Sequence, residues 1–186
     1  MALLSHYRPW IAALAAVLCL HGPVEVRAQA QPASIESNIK AVFLFNFAKY
    51  VTWPAVTPGE RSPVAIRICV TADDVFFKLL QSAVQGEDVD GKPLVPIALD
   101  GLDEAKQCQI LYVGDSRSAD ARSWLAAVRG AQVLTVADGA LTDDTVIAFI
   151  RDSNRLRFDI NRASATRRNL NVSSKLLRLA RQVREP

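Results

Sequence analysis

The segment Ile39–Pro54, IKAVFLFNFAKYVTWP, constrains the fold more than any other part of the chain. It is too apolar for an ordinary surface helix, and it is shorter than the roughly 20 residues of a membrane-spanning helix. Apolar residues recur at helical spacing in and before it: Ile35, Ile39, Val42, Phe43 and Phe47. Lys40, Asn46 and Lys49 leave only a thin polar side. The pattern predicts a core helix that ends before Pro54, since residues preceding a proline resist helical geometry.

Residues 1–30 have the pattern of a secretory signal peptide. A basic start leads into the apolar run Trp10–Leu20, and small residues follow at the expected cleavage site, after position 28 or 30. The apolar run has eleven residues, which is too few to span a bilayer. We therefore expect an exported protein in which residues 31–186 form one α/β domain.

Loss of the leader also removes every histidine, because His6 and His21 both lie in it. A catalytic triad, proton shuttle or metal site built on imidazole is therefore excluded. Ser37 and Lys40 match the S-x-x-K pattern of penicillin-binding enzymes, but the chain lacks the K-T-G motif that those enzymes also use. We predict that the protein is not an enzyme and has no catalytic, cofactor-binding or metal-binding residues.

The charge pattern indicates neither nucleic acid nor lipid as a partner. The formal net charge is +3, and basic residues concentrate between positions 151 and 185 without interleaved aromatic residues on which bases could stack. The apolar segment has too little charge asymmetry to lie on an anionic lipid surface. We therefore expect no nucleic acid binding and no direct membrane insertion.

Beyond the first helix the chain alternates between strands and helices. Strands are predicted at Val64–Val70, Pro93–Ala98, Cys108–Val113 and Val133–Val136. Helices are predicted from Thr71–Asp74 through Val84, from Ser118 to Val128, and from Ser173–Ser174 through Val183. This alternation indicates a single α/β domain with a mixed, largely parallel sheet flanked by helices.

The C-terminal part of the chain is expected to form a β-hairpin followed by the last helix. The arms are Val146–Arg151 and Leu156–Ile160, joined by a turn. In the second arm Arg155, Arg157 and Asp159 alternate with apolar residues, which predicts one polar outer face. Charges on such a face are typical of a sheet edge.

Cys69 and Cys108 remain after the leader is removed, and two cysteines in an exported domain are expected to pair. The predicted strands raise a difficulty, because Cys69 ends one strand and Cys108 begins another. Simple parallel neighbours would hold them more than about 10 Å apart. Either the strands are offset or antiparallel, or the two thiols are free and buried.

Several motifs together resemble the YfiR family of periplasmic proteins. The first block, F-x-F-x-K-Y-V-x-W-P, covers Phe45–Pro54. The closing block runs from F-x-I-N at Phe158–Asn161 to V-S-S-K-L-L-x-L-A at Val172–Ala180. The resemblance extends over nearly all of the mature chain. It implies a periplasmic location and a mixed sheet flanked by helices, often in a homodimer.

The resemblance also implies a regulatory function that no motif here could show. The best-known member of the family is a non-enzymatic repressor that binds the periplasmic sensor domain of an inner-membrane diguanylate cyclase. An outer-membrane lipoprotein relieves that block by sequestering the repressor. Cys69 and Cys108 match a cysteine pair of the family, whereas a further C-terminal pair of that member is missing here. A second disulfide is therefore not expected.

Two groups of residues are candidates for partner or dimer contact. Phe45, Tyr50 and Trp53 lie off the main apolar stripe of the first helix, and we predict that they are partly exposed. Arg155 and Arg157 form a second candidate patch, although edge charges can also serve only to keep a sheet solvated.

The other functional class that fits this fold is a small-molecule sensor that reports to another membrane receptor. Such a domain would hold its ligand at the carboxyl ends of the strands. A repressor needs an exposed apolar or charged patch, whereas a sensor needs an enclosed pocket with converging polar groups.

Overall fold

In the computed structural model, residues 32–53, 63–71 and 73–185 are described. The predicted signal peptide lies outside the described residues, as do residues 54–62. Pro32–Pro186 form one compact unit.

An eight-stranded mixed sheet forms the centre of this unit. The described residues contain ten strands: β1 (Val51–Thr52), β2 (Ile66–Thr71), β3 (Asp88–Val89), β4 (Lys92–Leu99), β5 (Ile110–Asp115), β6 (Leu134–Asp138), β7 (Ile147–Asp152), β8 (Arg155–Asn161), β9 (Asn171–Val172) and β10 (Gln182–Arg184). Eight of them form the large sheet in the order β10-β8-β7-β6-β5-β2-β4-β3, and β1 pairs with β9 in a separate two-stranded sheet. In the large sheet only the β7–β8 and β3–β4 pairs are antiparallel. The predicted α/β class with a largely parallel sheet is confirmed.

Helices cover both faces of the sheet. They are α1 (Pro32–Tyr50), α2 (Asp74–Val84), a 3-10 helix (Leu102–Gln107), α3 (Ala119–Ala127), α4 (Arg162–Arg167) and α5 (Ser174–Leu179). Polar side chains cap four of the α-helices at their N-termini by accepting a hydrogen bond from a backbone N–H, and these are Asp73, Ser118, Asn161 and Ser173. Such caps satisfy donors that the first helical turn leaves unpaired.

The two faces of the sheet carry separate hydrophobic cores. On one face α1 and α2 pack over the strands, with Leu44 and Phe47 among the fully buried side chains. On the other face the 3-10 helix and α3 pack over residues such as Leu111. Successive strand residues enter opposite cores, as shown by Ile68 in the first and Cys69 in the second.

The first helix is present, but it is rotated relative to the prediction. Its buried stripe is Ala41, Leu44, Phe47 and Ala48. Of the predicted stripe, Phe47 is buried and Phe43 packs against the first core, which confirms a core helix. Ile35, Ile39 and Val42 are instead 53%, 41% and 50% exposed. The prediction was wrong for these three residues because the helix is apolar on more than one side, so spacing alone could not choose the buried side. Stacking of Phe47 on Phe149, at 5.8 Å between ring centroids, favours the observed rotation.

The C-terminal hairpin is present, but only the first part of its second arm lies at a sheet edge. β10 pairs in parallel with Asp159–Asn161 and takes the outer position there, whereas residues 155–157 pair with β7 alone among the described strands. Asp159, predicted to face solvent, is only 4% exposed, and Arg181 donates to it from Nε at 2.9 Å. The predicted last helix is also too long, since α5 ends at Leu179 and Val183 lies in β10. The chain leaves the helix there because Arg181 N–H donates to the Phe158 carbonyl of β8.

The opposite border of the sheet is formed mainly by β4. Only its first residues pair with the short strand β3, so the remaining length has a neighbour on one side alone. Leu94 N–H points outward and donates to the Glu87 carbonyl. Because donors alternate along a strand, the outward position two residues later belongs to Pro96, which has no N–H.

Cys69 and Cys108 form a disulfide with their Cα atoms 5.9 Å apart. Strands β2 and β5 are parallel, and Cys69 lies opposite Leu111. As predicted, Cys69 and Cys108 could not pair as directly opposite residues of these two strands. The disulfide forms because Cys108 lies outside β5, at the end of the 3-10 helix. That helix packs on the second core, which brings the two sulfur atoms together above the sheet face.

Replacing both cysteines, Cys69→Ala with Cys108→Ala, should lower the free energy of unfolding by about 4 kcal/mol, because the bond closes a loop in the unfolded chain. Denaturant titration under oxidising conditions measures this loss. Reductant should produce a similar loss in the wild type and none in the double variant. An unchanged unfolding midpoint would contradict a stabilising disulfide.

Candidate partner-binding surface

The solvent side of α1 carries an exposed apolar row, which we call the α1 outer stripe: Ile35, Ile39 and Val42. Branched side chains of this kind favour a helix less than leucine or alanine does, so helix propensity does not account for them here. Contiguous exposed apolar side chains are typical of surfaces that contact another protein. The stripe is therefore the candidate functional surface.

A groove of about 230 Å³ lies beside the stripe, between α1 and the tip of the β7–β8 hairpin. It is lined by Ile35, Glu36, Ile39, Arg151, Asn154, Arg155 and Leu156. Its walls combine apolar side chains with two arginines. No carboxylate of the described residues pairs with Arg155, so this charge is available at the rim.

An ionic network beneath the stripe joins α1 to the sheet. Lys40 Nζ donates to Asp138 Oδ2 at 2.9 Å and lies 3.0 Å from Glu36 Oε1. The Tyr112 hydroxyl donates to the same Asp138 oxygen at 2.9 Å. Arg151 at the end of β7 pairs with Glu36 from the other side. Two strands, β6 and β7, therefore hold α1 through charged groups, and Tyr112 of β5 supports the Asp138 carboxylate.

The network is partly shielded from water, and this shifts two pKa values. Burial lowers the pKa of Lys40, but its hydrogen bond and charge interaction with Asp138, followed by those with Glu36, raise it above 10.5 overall. Burial and the Asp138 carboxylate raise the pKa of Tyr112. Lys40 is therefore charged and Tyr112 neutral at physiological pH.

The residues that the sequence predicted for partner contact do not form one surface in the structure. Phe45, Tyr50 and Trp53 are partly buried and pack against the first core rather than on the outer stripe. Lys49 Nζ covers the Phe45 ring at 3.8 Å from its centroid. A contact through these three aromatic residues remains a prediction.

The two nominated arginines also lie apart from those aromatic residues. Arg155 is exposed at the hairpin tip and lines the groove. Arg157 is half-buried, and it faces away from α1 because its neighbour Phe158 faces the first core. Their role in partner binding also remains a prediction.

Sequence reasoning missed the outer stripe as a surface. A usable signal was present, since one helix face cannot bury two apolar rows, and α1 has a second row at positions 41, 44 and 48.

Within residues 32–53, 63–71 and 73–185, no helix is long and apolar enough to cross a membrane. The same residues contain no cluster of three or more metal-ligating side chains.

Lys40→Met should lower the free energy of unfolding at neutral pH by about 1–3 kcal/mol, because the shielded Asp138 loses a charged donor. Denaturant titration measures the change. Lys49→Met is the matched control, since Lys49 is an exposed lysine of the same helix. Equal effects of the two substitutions would contradict an anchoring role for Lys40.

The comparison of wild type with Lys40→Met also gives a test at high pH. The folded-state pKa of Lys40 lies above its ordinary value of 10.5, so its stabilising contribution is complete below that pH. The contribution is lost as pH rises through the folded pKa. The stability difference between wild type and Lys40→Met should therefore shrink above pH 10.5. A difference that grows there would contradict the assignment.

Comparison with known proteins places the chain in a family. No curated protein matches it. The family model described as YfiR/HmsC-like matches residues 37–181, which include α1 from its second turn onward and every strand of the large sheet except β10. A family of this kind comprises periplasmic regulators rather than enzymes. The chain belongs to the YfiR/HmsC-like family.

Proposed function

We propose that the protein is a periplasmic repressor that binds the periplasmic sensor domain of an inner-membrane diguanylate cyclase and lowers cyclic-di-GMP production. Family membership supports a regulatory role in this signalling system. The observation that carries the proposal is the exposed α1 outer stripe on a helix fixed by Lys40 and Asp138. A fixed apolar surface can bind a partner with little loss of its own conformational freedom.

The spacing of the stripe favours a helix as the partner element. Ile35, Ile39 and Val42 are separated by four and three residues, and Asn46 and Lys49 continue the same spacing. This is the periodicity at which two helices pack side by side. Arg155 beside the stripe favours a partner helix with an acidic flank, because opposite charges align the two surfaces.

Repression follows from a difference in affinity between two states of the sensor domain. A repressor that binds the inactive conformation more tightly shifts the population toward it, by no more than that difference. A hundredfold preference corresponds to about 2.7 kcal/mol, which is sufficient to quiet most cyclase molecules.

The small-molecule sensor is the second candidate, and one feature favours it. A groove of about 360 Å³ lies near the carboxyl ends of β6 and β7, and its lining includes Lys40, Asp138 and Arg151. However, Lys40, Asp138 and Arg151 are joined through Glu36. Arg117 is a lining cation outside this network, and a single exposed arginine gives few converging donors for a ligand. We therefore favour the repressor.

Ile39→Asp should abolish repression, because it places a charge in the centre of the apolar stripe. The measurement is cellular cyclic-di-GMP in a strain whose only copy of the gene carries the substitution. Val75→Asp is the matched control, since Val75 is a 72% exposed valine on a different helix, α2. Thermal unfolding of both purified variants should match that of the wild type. Repression that survives Ile39→Asp would exclude the stripe.

A photo-crosslinker at position 42 identifies the partner directly. A crosslink to a membrane protein with a cytoplasmic cyclase domain supports the proposal, provided that Ile39→Asp abolishes it. A crosslink to a second copy of the chain would assign the stripe to a homodimer. A crosslink to an outer-membrane lipoprotein would show that the stripe binds the protein that releases the repressor. A crosslink to a transport or kinase receptor would favour the small-molecule sensor.

Charge reversal on the hairpin, Arg155→Glu with Arg157→Glu, should weaken repression and leave the melting temperature unchanged, because neither arginine pairs with a carboxylate of the described residues. Cyclic-di-GMP and thermal unfolding are measured together. Arg178→Glu is the control, since it reverses an exposed charge on α5. Full repression by the double variant would leave these arginines as solvated edge charges.

A further inference from the structure

A third groove, beside α3, differs from the first two in its lining. It has a volume of about 250 Å³ and lies between α3 and the segment 139–146 that joins β6 to β7. Its lining residues are Ser116, Arg117, Arg122, Leu125, Arg129, Thr142 and Asp144. Three arginines therefore surround a small space that holds a single carboxylate.

The carboxylate of Asp144 already pairs with Arg129. Arg129 binds Asp144 with two nitrogens, and its Nε lies 2.9 Å from Oδ1. The hydrogen bond from Arg129 lowers the pKa of Asp144, with further lowering by the charges of Arg168 and Arg167. The field around Asp144 is thus positive, and Asp144 does not neutralise the remaining arginines of the groove.

The remaining two arginines have unused donors. Arg122 donates from Nη1 to the Arg117 carbonyl, and no carboxylate among the described residues pairs with it. Arg117 contacts Asp115 only at 3.5 Å, and its side chain is 77% exposed. Each guanidinium has five N–H donors, so most of them face the groove or solvent.

Arg122 is tied to the segment that carries Arg117. Its Nη1 donates to the Arg117 backbone carbonyl, which brings the two residues together at the start of α3. Arg122, Leu125 and Arg129 follow spacings of three and four residues, so they lie on one side of that part of the chain. Leu125 provides an apolar floor that is only 2% exposed.

We infer that this groove binds a small tetrahedral oxyanion, namely phosphate or the phosphate group of a small monoester, through Arg117 and Arg122. Planar guanidinium groups match the paired oxygens of such an anion, and charge-assisted bonds of this kind are strong. A volume of about 250 Å³ suits a small anion. The site shares no lining residue with the groove beside the α1 outer stripe. Arg117 also borders the groove next to Lys40, whereas Arg122 does not line that groove, so Arg122 is the residue to substitute.

The test is calorimetric titration of the mature protein with inorganic phosphate. We expect saturable binding that weakens as sodium chloride is added. Arg122→Ala should weaken phosphate binding by about tenfold or more, as expected for loss of a charged donor. Arg178→Ala is the matched control, because Arg178 is exposed on α5 and outside the groove, and it should bind as the wild type does.

Further measurements define the ligand class and test whether the variant is folded. Arg122→Ala should melt as the wild type does without phosphate, since alanine favours the helix. Sulfate should compete with phosphate, and tighter binding of glycerol 3-phosphate would identify an organic phosphate as the source. Failure of the wild type to bind phosphate, equal loss in Arg122→Ala and Arg178→Ala, or equal competition by acetate would each overturn the inference. None of these measurements depends on cyclase repression.

Discussion

The contact between Lys40 and Asp138 determines which side of the first helix faces the sheet, and much of the surface depends on that choice. Alpha-helix α1 has two apolar rows, and either could fill the core. The lysine must reach the carboxylate at the end of β6, and this is possible only when Leu44 and Phe47 point inward. The rotation that satisfies this ion pair exposes the other row. The surface proposed for partner binding is thus a consequence of an electrostatic contact below it.

The opposite face of the sheet is stabilised differently, because only short helices pack on it. The 3-10 helix and α3 are short, so a covalent bond replaces part of the packing that longer helices would provide. Cys69 and Cys108 tie the short helix to β2 above the sheet face. The two faces are therefore stabilised by different means, namely aromatic packing with a salt bridge on one and a disulfide on the other.

The sequence predicted element types well because the strands are continuous branched apolar runs and the helices begin at clear capping residues such as Ser118 and Ser173. It also predicted the hairpin and the cysteine pair. It could not predict the rotation of α1, because that depends on a partner almost a hundred positions away, Asp138. It could not predict β10 either, because three residues without a strong strand pattern join the sheet only through their register with β8. The two apolar rows of α1 indicated that one would be exposed, but not which one.

The proline-bearing border of the sheet has a consequence for how this protein can recognise others. A peptide that extends a sheet needs a continuous row of donors and acceptors, and Pro96 interrupts the donor row on the open side of β4. The opposite border consists of β10, which has only three residues, and of the start of β8, which carries Arg155 and Arg157. Neither border offers a long uncharged template for backbone pairing, so self-templated growth into fibrils is discouraged. Specificity must then come from side chains, where a single substitution can redirect it.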